Sequence, residues 1–395
     1  MKPQKITDGV YSLRVNHFNR RLFDSLIPLP DGTSYNCYLV RGSAKTALLD
    51  SADPEKAAAL FDYLRDVPAV DYLVAHHAEQ DHSGSFPLLL EKYPAAKVVT
   101  NPRCREFLMT HLHLPADRFV EVKDGETLDL GGKTLEFVYT PWVHWPETMC
   151  TWLREEKVLF SCDFFGSHLA TSALFGEEHV VYEPMKRYYA EIMMPFRANI
   201  KSNLEKLAKY DIKFVCPSHG PVHADPKFAL DVYRDWAVSG PHNKAVVAYI
   251  SMHGSTYALV NRLVSRLQEA GVCVEKLNLD QLDEGRVAMA LVDAATIVIG
   301  TPTVLTGPHP KAVYAAHLAN LLRPKARFVA VVGSYGWAGR AVETIAGLIP
   351  NIKAEVLKPV MVKGLPTEAD LLLVDELAAA IAEKHKAAVA CGSDS

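Results

Sequence analysis

An apolar run, Tyr72-Leu73-Val74-Ala75, leads directly into His76-His77-Ala78-Glu79-Gln80-Asp81-His82. His77, Glu79, Asp81 and His82 put four metal-binding groups within six residues at the end of what reads as a buried strand. If this loop binds metal, the rest of the chain must supply the missing ligands, a shell around them and something for the metal to react with. A lone histidine at a strand end is more often a hydrogen-bonded structural group. His76 is read that way, whereas four ligands so close together reverse the balance for the others.

Ligands one residue apart in a looping segment can face a common point, so His77 and Glu79 can grip one ion while Asp81 and His82 turn towards another. Two ions need about seven or eight protein groups. Three candidates stand downstream, each just after a short apolar strand: His144 in Thr140-Pro141-Trp142-Val143-His144-Trp145-Pro146, Asp163 after Leu159-Phe160-Ser161-Cys162, and His219 in Pro217-Ser218-His219-Gly220-Pro221. Four histidines and three carboxylates suit iron or manganese better than thiolate-loving zinc. Asp163, between the two later histidines, is the expected bridge.

At 395 residues the chain exceeds one ordinary domain, and its patterning changes near Gly240-Pro241. Before that point, strand-like runs alternate with turns and helices: Val10 to Val15, Tyr35 to Val40, Thr46 to Asp50, a helix from Pro54 to Leu64 capped by Asp53, then strand, loop and helix through Thr100. Strands return between Val120 and Phe137 around a Gly131-Gly132 turn, a helix is expected from Tyr188 to Tyr210, and a strand from Ile212 to Cys216. This order predicts a layered αββα sandwich over residues 1–240. Residues 241–395 alternate buried strands (245–250, 272–277, 295–300, 327–333 and 354–360) with helices, which predicts a doubly wound parallel sheet.

The net charge of −4 gives no electrostatic reason to expect nucleic acid or an anionic membrane as partner. No apolar run approaches the ~20 residues that span a bilayer, and Met1 to Thr7 lacks the apolar core of a signal peptide, so a cytoplasmic protein is expected. Seven cysteines, Cys391 among them, form no C-x-x-C pair, which disfavours a disulfide framework or a built-in rubredoxin. The tail after Ala390 is expected to fray.

The second half carries its own signal. The strand ending at Ile250 runs into Ser251-Met252-His253-Gly254-Ser255-Thr256 and then a helix, so hydroxyls and backbone N–H groups at a helix N-terminus form a phosphate cradle. Two further loops follow later strands: Pro302-Thr303-Val304-Leu305-Thr306-Gly307, and Ser334-Tyr335-Gly336-Trp337-Ala338-Gly339. Ligands of doubly wound sheets bind outside the strand carboxyl ends, and an aromatic pair there suits a flat ring. No Gly-x-Gly-x-x-Gly fingerprint is present, so a resident nicotinamide dinucleotide is not expected.

The first half resembles the metallo-β-lactamase fold, whose hydrolases carry His-x-His-x-Asp-His. Glu79 replaces the second histidine here. His-x-Glu-x-Asp-His, with Asp81-His82-Ser83-Gly84, His144-Trp145-Pro146, Ser161-Cys162-Asp163 and Ser218-His219-Gly220, is similar to flavodiiron proteins, and the three later loops to the FMN site of flavodoxins. The resemblance implies one iron on His77, Glu79 and His144, the other on Asp81, His82 and His219, and Asp163 bridging. It implies FMN feeding two irons that reduce dioxygen to water or nitric oxide to nitrous oxide. It also implies an external donor, either rubredoxin or a reduced deazaflavin coenzyme, and a head-to-tail homodimer or dimer of dimers. His168 and Tyr189, with His17 and Trp145, are candidates to donate protons or shape the pocket. The competing expectation is a metallo-β-lactamase-fold hydrolase carrying an attached flavodoxin-like domain. Glu79 argues against that reading by loading the first metal position with negative charge.

Overall fold

In the computed structural model, which describes residues 1–281, 283–337 and 339–390, the chain divides into two compact units, Met1–Ala237 and Val238–Ser395. Ala338, Cys391 and the tail expected to fray lie outside the described residues.

Besides a small two-stranded ribbon, Leu22–Phe23 with Ile27–Pro28, the first unit holds two larger sheets whose strands lie side by side in chain order. One runs Gln4–Thr7, Val10–His17, Thr33–Arg41, Thr46–Leu49, Tyr72–Val74, Lys97–Thr100 and Phe119–Glu121. The other runs Thr127–Asp129, Thr134–Tyr139, Met149–Leu153, Val158–Cys162 and Phe214–Pro217. Strand alternation sorts the side chains into two cores. Leu13, Cys37, Leu39, Leu48, Leu73 and Val98 face outward to Leu60, Phe86, Leu89 and Leu108 of the covering helices Ala57–Tyr63, Phe86–Lys92 and Pro102–Leu112. Their neighbours Val40, Leu49, Val74 and Val99 meet Phe137, Met149, Val158 and Phe160 between the sheets. Gly131 (φ 87°) and Gly132 (φ 70°) close the Thr127–Tyr139 hairpin in the left-handed region, and a Cβ on Gly131 would lie 2.7 Å from the backbone nitrogen of Ala44.

Two expectations differ in detail. The helix expected from Tyr188 to Tyr210 is instead a helix, Glu178–Tyr188, a π turn, Tyr189–Met193, and, after a short 3₁₀ turn containing Pro195, a second helix, Arg197–Leu207. The strand expected over 354–360 splits into Glu355–Val356 and Val360–Lys363, because Pro359 has no N–H to give the ladder.

The second unit is a parallel sheet ordered Cys273–Asn278, His242–Tyr249, Ala294–Val304, Phe328–Tyr335, then the last two short strands, which is the chain order two-one-three-four-five. Ala245, Val247, Val298, Ala330 and Val332 pack under helices Ser255–Glu269 and Glu368–Ala390 through Leu259, Leu263, Val374 and Ile381. Helices Glu284–Leu291 and Pro310–Leu322 also pack on this sheet. The strand order reverses between His242–Tyr249 and Ala294–Val304, where a ligand crevice belongs. Among the described residues no helix is long and apolar enough to cross a membrane.

Candidate functional site

Both sheets of the first unit aim ligands at one point. After Tyr72–Val74 the chain carries His77 and Glu79 in a loop, and a short helical turn, Gln80–Ser83, presents Asp81 and His82. Ser83 Oγ donates to the Ala78 carbonyl at 2.9 Å, while Ser51 N–H and hydroxyl both reach the His82 carbonyl at 2.7 Å, which fixes the loop. Asp163 follows Val158–Cys162 through a left-handed turn at Cys162 (φ 54°), anchored by the buried Phe164 and Phe165. The His219 turn is clamped by the strand Thr33–Arg41. Asn36 Nδ2 donates to the Pro217 and Gly220 carbonyls at 2.8 and 2.6 Å, and the Tyr38 hydroxyl donates to Pro217 at 2.6 Å. Gly220 sits at φ 81°, 2.8 Å from the Ser167 carbonyl by the position a Cβ would take.

The seven side chains form two groups that share one member. Glu79 Oε2 lies 3.1 Å from Nε2 of both His77 and His144. Asp81 lies 3.4 Å from His82 Nε2 and 3.2 Å from His219 Nε2. Asp163 faces both groups: Oδ2 is 3.7 Å from His77 and from His144, and Oδ1 is 3.1 Å from His82 and 3.4 Å from His219.

The electrostatics are those of a cation site. Burial opposes charge on His77, yet hydrogen bonds to Glu147 and Glu79 and the charge of Asp163 push its pKa well above the ordinary value. Against the same burial, Asp163 and Asp81 push His219 up to about 10. Burial raises Asp163, but His82, His219 and His77 hold it well below the ordinary carboxylate range. Both oxygens of Asp81 and of Asp163, and Nε2 of His82, are buried without a hydrogen bond of acceptable geometry. Orphaned buried acceptors of this kind are costly unless a cation meets them, and nitrogen and oxygen donors in two sets fit two transition-metal ions.

Around the ligands, Glu147 Oε1 accepts from His77 Nδ1 at 2.7 Å, and His219 Nδ1 donates to the Ser34 carbonyl at 2.7 Å. His76 is tied to Asp50 (2.7 Å) and Thr151 (2.7 Å) and faces away from the cluster. Trp145 stands edge-on to His77 at 4.8 Å. His168 lies 5.1 Å from the His219 ring, its Nδ1 against the Thr33 hydroxyl (2.9 Å) and its Nε2 buried without a partner. Burial and the neighbouring His219 hold His168 neutral. His17 is 6.2 Å from the Tyr35 ring. Tyr189 packs 5.3 Å from both Tyr233 and Trp236 with its hydroxyl unpartnered, and the tyrosine turned to the cluster is Tyr188, 4.8 Å from His168 and 5.8 Å from His219. Sequence reading passed over Glu147 and Tyr188. The signal for Glu147 is a carboxylate three residues beyond a candidate ligand.

In the second unit a cleft of about 260 Å³ opens at the strand carboxyl ends, lined by Ser251, Met252, His253, Ser255 and Thr256, by Pro302 and Thr303, and by Ser334, Tyr335 and Gly336. Gly364 and Leu365, after the last strand, complete it and were not anticipated. Gly254 (φ 88°) starts the helix Ser255–Glu269 and offers it no side-chain cap, and in the first turn the Tyr257 N–H donates to Ser251 Oγ at 3.2 Å. The Thr303 hydroxyl is buried and unpartnered. A glycine-capped helix N-terminus and an orphan hydroxyl fit a phosphate-bearing flat ligand. Val304, Leu305, Thr306 and Gly307 form the adjoining hairpin, and Trp337 and Gly339 stand beyond the lining, with Trp337 78% exposed. Ala338 lies outside the described residues.

Comparison with known proteins is consistent with this geometry. Residues 33–220 match a family model described as ODP family beta lactamase, and residues 247–392 match flavodoxin. The rubredoxin-oxygen oxidoreductase of Megalodesulfovibrio gigas is 32% identical over 99% of this chain and 100% of its own length. A nitric oxide reductase of Moorella thermoacetica is 33% identical over 97% and 99%, and a reduced-coenzyme oxidase of Methanocaldococcus jannaschii is 31% identical over 93% of each. Among solved structures, rubredoxin oxygen:oxidoreductase from Desulfovibrio gigas superposes with a TM-score of 0.94 at 32% identity, covering 98% of this chain and 100% of that one. The flavodiiron protein from Giardia intestinalis gives 0.90 at 27% identity, covering 98% of each.

Proposed function

The chain belongs to the flavodiiron proteins and has their oxidoreductase function, and from that premise we propose how its own residues divide the work. His77, Glu79 and His144 hold one iron, Asp81, His82 and His219 hold the other, and Asp163 bridges them. The cradle from Ser251 to Thr256 holds the phosphate of FMN, with the Pro302 to Gly307 and Ser334 to Gly339 loops flanking its ring. When bound, the irons supply the electrons that reduce dioxygen to water or nitric oxide to nitrous oxide, and the flavin replenishes them.

The observation that carries this reading is Asp163, one carboxylate oxygen turned to each ligand set. Glu79 supports iron over zinc, because a carboxylate in place of an imidazole stabilises the higher valence. Near the ligands, His168 is held neutral with an unpartnered Nε2, and Tyr188 carries its phenol beside it, so these two are the proton-exchanging candidates.

The electron donor is external, a rubredoxin-like iron-sulfur carrier or a reduced deazaflavin coenzyme, in line with the names of the relatives. The assembly is a head-to-tail homodimer or a dimer of dimers. Leu305 (92% exposed), Trp337 and Leu365 (73%) stand near the cleft and give a second copy apolar surface to cover.

The test is anaerobic reduction of the loaded protein, followed by stopped-flow mixing with dioxygen and with nitric oxide in turn, alongside metal and flavin analysis. Two irons and one FMN per chain with gas-driven reoxidation are expected. Zinc with ester hydrolysis would sink the proposal in favour of the hydrolase. Full activity in a monomer would sink the dimer.

A further inference from the structure

Glu147 is as enclosed as the ligands it serves. Its side chain and that of His77 are both 0% exposed. Oε1 accepts from His77 Nδ1 at 2.7 Å and from the Ala78 N–H at 3.1 Å, and the Glu147 carbonyl accepts from Asn101 Nδ2 at 2.6 Å. A carboxylate only accepts, so Nδ1 of His77 carries the proton and Nε2 is left as the ligand atom. Among the described residues, none of the other ligand histidines is hydrogen-bonded to a carboxylate outside the ligand set; Asp50 lies within 4.8 Å of the His82 group, but its oxygens are bonded to His76. His219 Nδ1 faces a neutral backbone carbonyl, and His82 Nδ1 faces the Cys162 thiol at 3.8 Å, a thiol that burial keeps protonated. The carboxylates that reach His144 are Glu79 and Asp163, which belong to the ligand set.

A carboxylate behind a ligating imidazole raises the basicity of that imidazole and adds negative charge to the ion it holds. In a dry interior that charge is weakly screened. We propose that Glu147 is a positioning residue that makes the two metal positions inequivalent, giving the one built on His77, Glu79 and His144 the lower reduction potential. This rests on the diiron reading. In an oxidative titration an iron(II) held there would pass one electron to the added oxidant and become iron(III) at a lower potential than the iron at the second position. Glu147 keeps its charge and exchanges no proton.

The experiment is a redox titration of the full chain loaded with iron and flavin, followed by electron paramagnetic resonance of the mixed-valent state, for the parent, Glu147→Gln and Glu147→Asp. Loss of an outer carboxylate typically costs ~10- to 100-fold in metal affinity; the negative charge favours iron(III), and where the loss falls on that form alone it shifts a one-electron couple by ~59 to ~118 mV. In Glu147→Gln the first iron step is expected to rise by that amount, while the second iron step and the flavin steps stay put. Glu147→Asp retains the charge with a shorter reach and is expected to fall between. If Glu147→Gln does not fold, the Asp variant carries the test. Equal movement of both iron steps, or of neither, in a folded variant with two irons overturns the inference alone. A parent chain that does not hold two irons overturns the diiron reading beneath it.

Discussion

Replacing Asp163 with asparagine tests the bridge most directly, because the side chain has no other task. It is 1% exposed, neither oxygen makes an acceptable hydrogen bond, and its four nearest nitrogens lie 3.1, 3.4, 3.7 and 3.7 Å away, two for each oxygen. Removing one partner of a buried, compensated charge cluster costs about 3–5 kcal/mol. At ~1.4 kcal/mol per tenfold, that is two to three and a half powers of ten in metal affinity. Since Asp163 faces both ligand sets, both ions should loosen in Asp163→Asn. Asp81 reaches only His82 and His219, so Asp81→Asn should release one ion and keep the other. The assay is metal content of the full chain after equilibration against graded chelator under anaerobic conditions. Two ions held within tenfold of the parent, or loss of only one ion from Asp163→Asn, would refute the bridge.

Other expectations follow from the same geometry. Glu79→His should move the first metal position from iron towards zinc in competition, abolishing gas reduction while leaving the flavin reducible. Unchanged metal preference would count against the role given to Glu79. Gly254→Ala puts a Cβ into open space but at φ 88°, so its cost is conformational, ~1–2 kcal/mol. About tenfold weaker FMN binding by flavin fluorescence titration is expected, and undiminished binding would argue against the cradle. In the metal-free protein, His219 rises from 6.5 to about 10 on folding, so its contribution is fully present below pH 6.5 and is lost as pH climbs through 10. Glu79 and Asp163 are depressed, so theirs is present above the ordinary carboxylate range and lost as pH falls below it. Thermal melting should therefore weaken on the alkaline side without metal and not with it, since bound metal replaces those protons. An alkaline loss of equal size in both forms would contradict the assignment.

The architecture and the ligand loops were legible because each depends on local pattern. Four ligands crowded behind a strand, three more at strand ends, and a Gly/Ser/Thr turn before a helix are all written in neighbouring residues. What escaped depends on phase and on distance across the chain. The helix breaks into a π turn at Tyr189–Met193, and across that join Tyr188 faces His219 while Tyr189 goes to Tyr233 and Trp236. No hydrophobic periodicity carries that rotation. Glu147 escaped because its partner lies 70 positions earlier, and Gly364 and Leu365 because they join the cleft only once the last strand lies beside Phe328–Tyr335.

Each ligand set draws on both sheets of the first unit. His77 and Glu79 come from the end of one sheet while His144 and Asp163 come from the other, and Asp81 and His82 meet His219 and Asp163 in the same way. With ions bound as proposed, the sandwich would be riveted at one edge by coordination bonds as well as closed by its greasy middle. Neither sheet could then peel away without breaking ligand bonds, so release of the ions and loss of the sandwich would become one slow event. Amide hydrogens of Tyr72–Val74 and Val158–Cys162 should then exchange only through that event while the ions are held. On this proposal, the lifetime of the folded unit would be set at its reactive edge.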